Sequence, residues 1–152
     1  MPLSKDLREF VELLNSNGVE YLVVGGFAVS YHGFARYTGD IDFLVRPSEE
    51  NSHRVLATLA QFGFGRVGIQ AEDFQSTGKV VQLGVPPNRI DILTSISGVS
   101  FEDAWDSRTA GMLDGLATQF IGREALIHNK ESTGRAKDLG DADELRKRSS
   151  SK

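Results

Sequence analysis

The chain has 152 residues, a formal net charge of −4, 39% hydrophobic residues and no cysteine. That length suits one domain able to bury a sheet and several helices, and the missing cysteines exclude disulfide staples and thiolate metal sites. The mild acidic balance decides neither for nor against a nucleic-acid partner; with no leader-like N-terminus and no apolar run near the roughly 18 residues that cross a bilayer, a cytoplasmic chain with no membrane partner is expected.

In chain order, residues 3–15 carry Leu7, Phe10, Val11 and Leu14 at helical spacing, with Gly18 as the stop. Tyr21–Val24 is a short strand ending in a turn at Gly25-Gly26, after which a helix starts at Phe27. Residues 40–45 form the next strand. Ser48 caps a helix whose buried stripe is Val55, Leu56, Leu59 and Phe62, before Gly63. An irregular stretch leads to a strand over 79–85, a turn at Pro86-Pro87-Asn88 and a partner strand over 89–93. Residues 98–101 and 111–115 are predicted loops, 101–106 a short helix and 117–121 a brief apolar segment. Helices follow over 123–130 and 135–148, the last with Leu139, Ala142 and Leu145 inward. The single domain is expected to span 1–148, with 149–152 a disordered tail.

Alternation along 40–45 puts Asp40, Asp42 and Leu44 on one face of the strand and Ile41, Phe43 and Val45 on the other. Along 89–93, Ile90 and Ile92 face the core and Asp91 points the opposite way. If these strands are neighbours, three carboxylates converge. Crowded carboxylates repel, and one takes up a proton unless a cation neutralises the cluster. Hard oxygen ligands select Mg²⁺ or Mn²⁺, leaving positions for the phosphates of a nucleoside triphosphate. Two such ions about 3.5–4 Å apart would activate an attacking hydroxyl and stabilise departing pyrophosphate. Gly25 and Gly26 would let backbone N–H groups approach phosphate oxygens. Singly, a Gly-Gly is a tight turn and an Asp-x-Asp a solvated strand face. Together, with apolar flanks that make unpartnered carboxylates costly, they point to an active site. His32 and His128 read as structural, and His53 as solvated.

Gly25-Gly26, a spacer of thirteen residues, Asp40-Ile41-Asp42 and Asp91 between isoleucines resemble the signature of the nucleotidyltransferase superfamily with the DNA polymerase β type of palm. The run Asn129-Lys130-Glu131-Ser132-Thr133-Gly134-Arg135-Ala136-Lys137-Asp138-Leu139-Gly140-Asp141 resembles the C-terminal signature of small stand-alone members related to the AbiEii and MenT-like toxins. Arg36-Tyr37-Thr38-Gly39-Asp40 resembles their approach to the double-Asp strand. The resemblance implies an α/β (α+β) nucleotidyltransferase fold: a mixed sheet with helices packed on one face, and C-terminal helices. It implies Asp40 and Asp42 as metal ligands, and Asp91 as a ligand that also helps deprotonate the acceptor. Gly25 and Gly26 would line the triphosphate, with Arg36, Lys130, Arg135 and Lys137 as phosphate or acceptor contacts. Many relatives carry Gly-Ser where this chain has Gly-Gly, and Ser30 lies a turn too far along to replace that hydroxyl.

The expected reaction is transfer of a nucleoside monophosphate from an NTP to a hydroxyl. A tRNA or other RNA 3′ end would suit the basic side chains of the C-terminal quarter, Arg123, Lys130, Arg135, Lys137 and Arg146-Lys147-Arg148; a protein hydroxyl would need no basic surface. A non-catalytic nucleotide-binding regulatory module is a third reading. As a toxin–antitoxin component the chain would also meet a cognate antitoxin or toxin, and Trp105 and Phe74, if exposed, would mark that surface.

Overall fold

A computed structural model describes residues 3–35, 39–64, 68–86 and 88–148. Arg36 and the predicted tail lie outside the described residues.

Helix α1, Lys5–Ser16, is capped by Ser4, whose hydroxyl accepts the Leu7 N–H, and it buries the predicted stripe Leu7, Phe10, Val11 and Leu14. Strand β1, Tyr21–Val24, runs directly into α2, Gly25–Tyr31. The predicted glycine turn is therefore the first turn of α2, two residues earlier than the predicted helix start. Strand β2 is Ile41–Val45, and α3, Glu49–Phe62, is capped by the Ser48 hydroxyl and closed by Gly63. A 3₁₀ turn at Ala71–Phe74 leads to β3, Val80–Leu83, and β4, Ile90–Leu93. Then come α4, Phe101–Asp106, strands β5, Thr109–Leu113, and β6, Leu116–Phe120, and helices α5, Arg123–Thr133, and α6, Ala136–Lys147.

The six strands form one mixed sheet in the order β3-β4-β2-β1-β6-β5. β2 lies parallel to β4 and antiparallel to β1. Hairpin β5–β6 corrects the sequence reading, which had a loop and a brief apolar segment there. Asp114 (φ 50°) and Gly115 (φ 80°) both take the left-handed conformation that a two-residue hairpin turn requires. Small residues such as Ala110, Gly111 and Ala117 leave the flanking strands little apolar alternation to read.

Both faces of the sheet are packed. Tyr21, Val23, Ile41, Phe43, Val45, Ile90 and Ile92 meet α1 and α3 on one side, where Phe10 and Phe43 lie 5.5 Å apart. Leu22, Val24 and Leu44 on the other side meet Ala104 of α4, Leu126 and Ile127 of α5, and Ala142 and Leu145 of α6. The C-terminal helices thus cover the acid-bearing face at Leu44, while Asp42 and Asp91 line a cleft beside them. Leu139, expected inward, is 42% exposed, because Asp138 and Asp141 take the inward positions of α6 beside Ala142 and Leu145. Phe74 is fully buried and marks no partner surface. Trp105 stacks on Phe101, with the Arg108 guanidinium over its ring. Among the described residues no helix is long and apolar enough to cross a membrane.

Candidate active site

The parallel pairing of β2 and β4 sets Asp42 directly opposite Asp91, and Ile41 opposite Ile90. Side chains in register on neighbouring strands project to the same face, so the two carboxyl groups meet and share a hydrogen bond. Burial pushes Asp42 up to about 7, helped by the hydrogen bond and the charge of Asp91; the charges of Lys130 and Arg89 pull the other way. Burial beside a second carboxylate thus keeps Asp42 protonated up to about neutral pH.

Asp40 stands beside this pair, just before β2. Its Oδ1 accepts the Arg89 backbone N–H at 2.9 Å, which ties the starts of the two strands together. Arg89, which the sequence reading passed over, grips Asp91 with two prongs: Nε to Oδ1 at 2.7 Å and Nη2 to Oδ2 at 3.0 Å. Its Nη2 also lies 3.8 Å from Asp40 Oδ2. Spacing was the available signal, since in a strand Arg89 falls on the same face as Asp91. Among the described residues no three acidic or histidine side chains are grouped so as to enclose one ion. In donor chemistry the Asp42–Asp91 pair nonetheless suits a hard divalent cation: the ligands are carboxylate oxygens, and a cation would relieve the crowding that keeps Asp42 protonated.

Gly25 is required twice over. Its φ of +69° belongs to the left-handed region, and a Cβ there would overlap Asp42 Oδ2. Gly25→Ala is expected to lose about 1–3 kcal/mol from backbone strain, more where Asp42 cannot move aside. Urea unfolding measures the loss, and an unchanged midpoint would contradict the close approach.

Lys130 occupies the opposite wall of the site. It is 8% exposed, with Nζ 3.1 Å from Asp138 Oδ1 and 3.2 Å from Asp141 Oδ2. Asp138 also accepts the Thr133 hydroxyl at 2.7 Å and Arg135 Nε at 2.8 Å. The two aspartates, three positions apart, share the face of α6 turned toward Lys130; the sequence reading gave them no role. Arg135 and Lys137 are exposed. The described candidates for metal and phosphate contacts, Gly25, Gly26, Asp40, Asp42, Asp91, Lys130, Arg135 and Lys137, all line a single cleft of about 580 Å³, together with Arg89, Gln82, Thr133 and Asp138. Ser30 lines a different cavity, beside Tyr31 and Met112. His32 is buried with a ring nitrogen 2.7 Å from the Ile121 carbonyl oxygen, while His53 and His128 are exposed.

Positive charge in the C-terminal quarter is largely compensated. Arg146 pairs with Glu131 at 2.7 Å, Arg123 with Glu124, and both Lys147 and Arg148 with Glu144. Residues 123–148 hold seven basic and six acidic side chains, so the basic surface expected to meet RNA has no strong positive field.

No protein-family model and no curated protein matches the chain. Among solved structures it is similar to a "putative nucleotidyltransferase" from Thermotoga maritima, at 16% identity and a TM-score of 0.59, over 96% of this chain and 91% of that one. The likeness extends to almost the whole architecture and shows the nucleotidyltransferase fold.

Proposed function

We propose that the chain is a metal-dependent nucleotidyltransferase that moves a nucleoside monophosphate from an NTP to an acceptor hydroxyl and releases pyrophosphate. The observation that carries this reading is the pair Asp42–Asp91, pressed together at the open end of the sheet with glycine backbone against it. A pair of buried like charges lowers stability, so a cation and phosphates are its natural complement. Mg²⁺ or Mn²⁺ would be held by Asp42 and Asp91 with Asp40 beside them, and when bound would stabilise negative charge building up on the transferring phosphoryl group. Asp91 would take the proton of the acceptor hydroxyl. The Gly25-Gly26 backbone leaves room for the triphosphate, which Lys137 and Arg135 would meet from the exposed side of the cleft. Lys130 holds the wall with Asp138 and Asp141 and lends its charge to the acid pair.

An RNA 3′ end remains the first acceptor to test, in the setting of a toxin–antitoxin pair. The ion pairs over residues 123–148 favour a second reading, transfer to a protein hydroxyl, which needs no basic surface. The experiment offers each of four α-labelled NTPs with Mg²⁺ to total RNA and total protein, beside Asp42→Asn. Label that disappears in the variant establishes the transfer, and the labelled fraction identifies the acceptor class. Nucleotide binding without label in any fraction would replace the enzyme by a nucleotide-binding regulatory module.

A further inference from the structure

We propose that Arg89 is an internal counter-ion that a divalent cation must displace from Asp91, so that this one side chain sets how readily the protein takes the cation and makes uptake depend on nucleotide. The proposal rests on the metal-dependent reading above. Both oxygens of Asp91 are engaged by the Arg89 fork, at 2.7 and 3.0 Å, and the same guanidinium reaches toward Asp40 at 3.8 Å. A carboxylate gripped in this two-pronged way cannot offer an oxygen to an ion on that side without giving up a charge-assisted hydrogen bond. Arg89 therefore stands between two of the acids expected to share a metal.

Backbone hydrogen bonds hold Arg89 in place, while its side chain is held through charged groups. The Arg89 N–H is bonded to Asp40 and its carbonyl oxygen accepts the Ile41 N–H at 3.0 Å, so the strand has no freedom to withdraw. The side chain is 28% exposed, and Asp91 and Asp40 are the groups that hold it. Release is thus a rotation of one side chain toward the cleft that it already lines. Proton loss cannot drive that rotation, because a guanidinium stays charged throughout the working pH range. A rival cation at Asp91 can drive it, and so can a rival anion for Arg89. The phosphate oxygens of a triphosphate match the guanidinium fork as a carboxylate does. Nucleotide would draw Arg89 away and hand Asp91 to the ion; by linkage, the ion would strengthen nucleotide binding by the same factor.

The test is Mn²⁺ binding to the intact chain, followed by electron paramagnetic resonance or calorimetry, with and without an α,β-methylene NTP that cannot transfer. Arg89→Gln is expected to bind Mn²⁺ about tenfold more tightly than wild type without nucleotide, the order set by removing a charge-assisted competitor. The nucleotide should strengthen Mn²⁺ binding in wild type and much less in the variant. Arg89→Lys keeps the charge but not the fork and should fall between the two. Misfolding cannot mimic a gain in affinity. Equal Mn²⁺ affinity in wild type and Arg89→Gln, or an Arg89→Lys protein identical to wild type, overturns the displacement. Asp42→Asn separates this failure from that of the metal reading: if the variant binds Mn²⁺ as wild type does, the acid pair is no metal site and both proposals fall.

Discussion

Replacing Asp42 by asparagine is expected to abolish nucleotidyl transfer and, in the same protein, to raise the stability of the metal-free chain at pH 8. The two effects share one cause. Asp42 is pushed from 3.8 to about 7, first by burial and then by Asp91. Between those values the folded protein binds more protons than the unfolded chain, so stability falls as pH rises from about 4 to about 7. At roughly 1.4 kcal/mol per unit, the ionised group lowers stability above pH 7 by up to about 4 kcal/mol. Asparagine keeps the shape and removes the charge, so at pH 8 the variant should melt up to about 8–16 °C above wild type for a chain of this size. At about pH 4, where the fall has barely begun because Asp42 is largely protonated in the folded chain and no longer fully ionised in the unfolded one, the difference should nearly vanish. Transfer should fall at least about 10³-fold, the scale on which removal of transition-state charge stabilisation is felt. Melting curves of both proteins at the two pH values, without divalent ions, check the first arm. A variant less stable than wild type at pH 8 would mean that Asp42 is an ordinary solvated carboxylate, and the argument for a cation would fall with it.

Which parts of this site were legible in the sequence follows from what each part depends on. The faces of Asp42 and Asp91 depend only on the period of a strand, and their isoleucine and phenylalanine neighbours report it directly. Helices α1 and α3 announce themselves through an apolar stripe with a cap, and the Ser48 hydroxyl and Gly63 sit at the ends where a helix needs them. That β2 and β4 are neighbours, with Asp42 opposite Asp91, is a tertiary fact that neither segment contains. Hairpin β5–β6 carries its turn in the sequence as Asp114-Gly115, but its strands are built from small residues that read as loop. Charge was the least legible quantity. A basic side chain in a run of signature residues looks available to phosphate, whereas burial makes Lys130 a partner of Asp138 and Asp141, and the two-residue period of the strand puts Arg89 beside Asp91. For Lys130 the sequence displays both acidic partners but not the packing of α5 on α6 that brings them to it.

Lys130→Met is expected to be the most destabilising single change at this site, lowering stability by about 3–5 kcal/mol at pH 7, as removal of one member of a buried ion group does. Lys130, Asp138 and Asp141 are 8%, 4% and 3% exposed, so water cannot take over for the missing ammonium. Burial raises Asp138, but hydrogen bonds from Thr133 and Lys130, the Lys130 charge and Arg135 together outweigh it and lower the group to about 2. A depressed folded-state value contributes stability that is fully present above about 4 and lost as pH falls through about 2. Without Lys130, part of that contribution is gone and Asp138 takes up its proton at higher pH, so the deficit of the variant should shrink toward pH 4. Urea unfolding at pH 7 and pH 4 measures both values. A second comparison isolates the pairing from mere loss of packing. Asp141→Asn alone should destabilise the protein, whereas in the Lys130→Met background it should cost less or stabilise it, because there it removes a buried charge that has lost the Lys130 ammonium. An equal cost in both backgrounds would show that Lys130 acts through its carbon chain rather than its charge. Lys130 also pulls Asp42 downward in pKa, so whatever transfer Lys130→Met retains should have its acid limb displaced to higher pH.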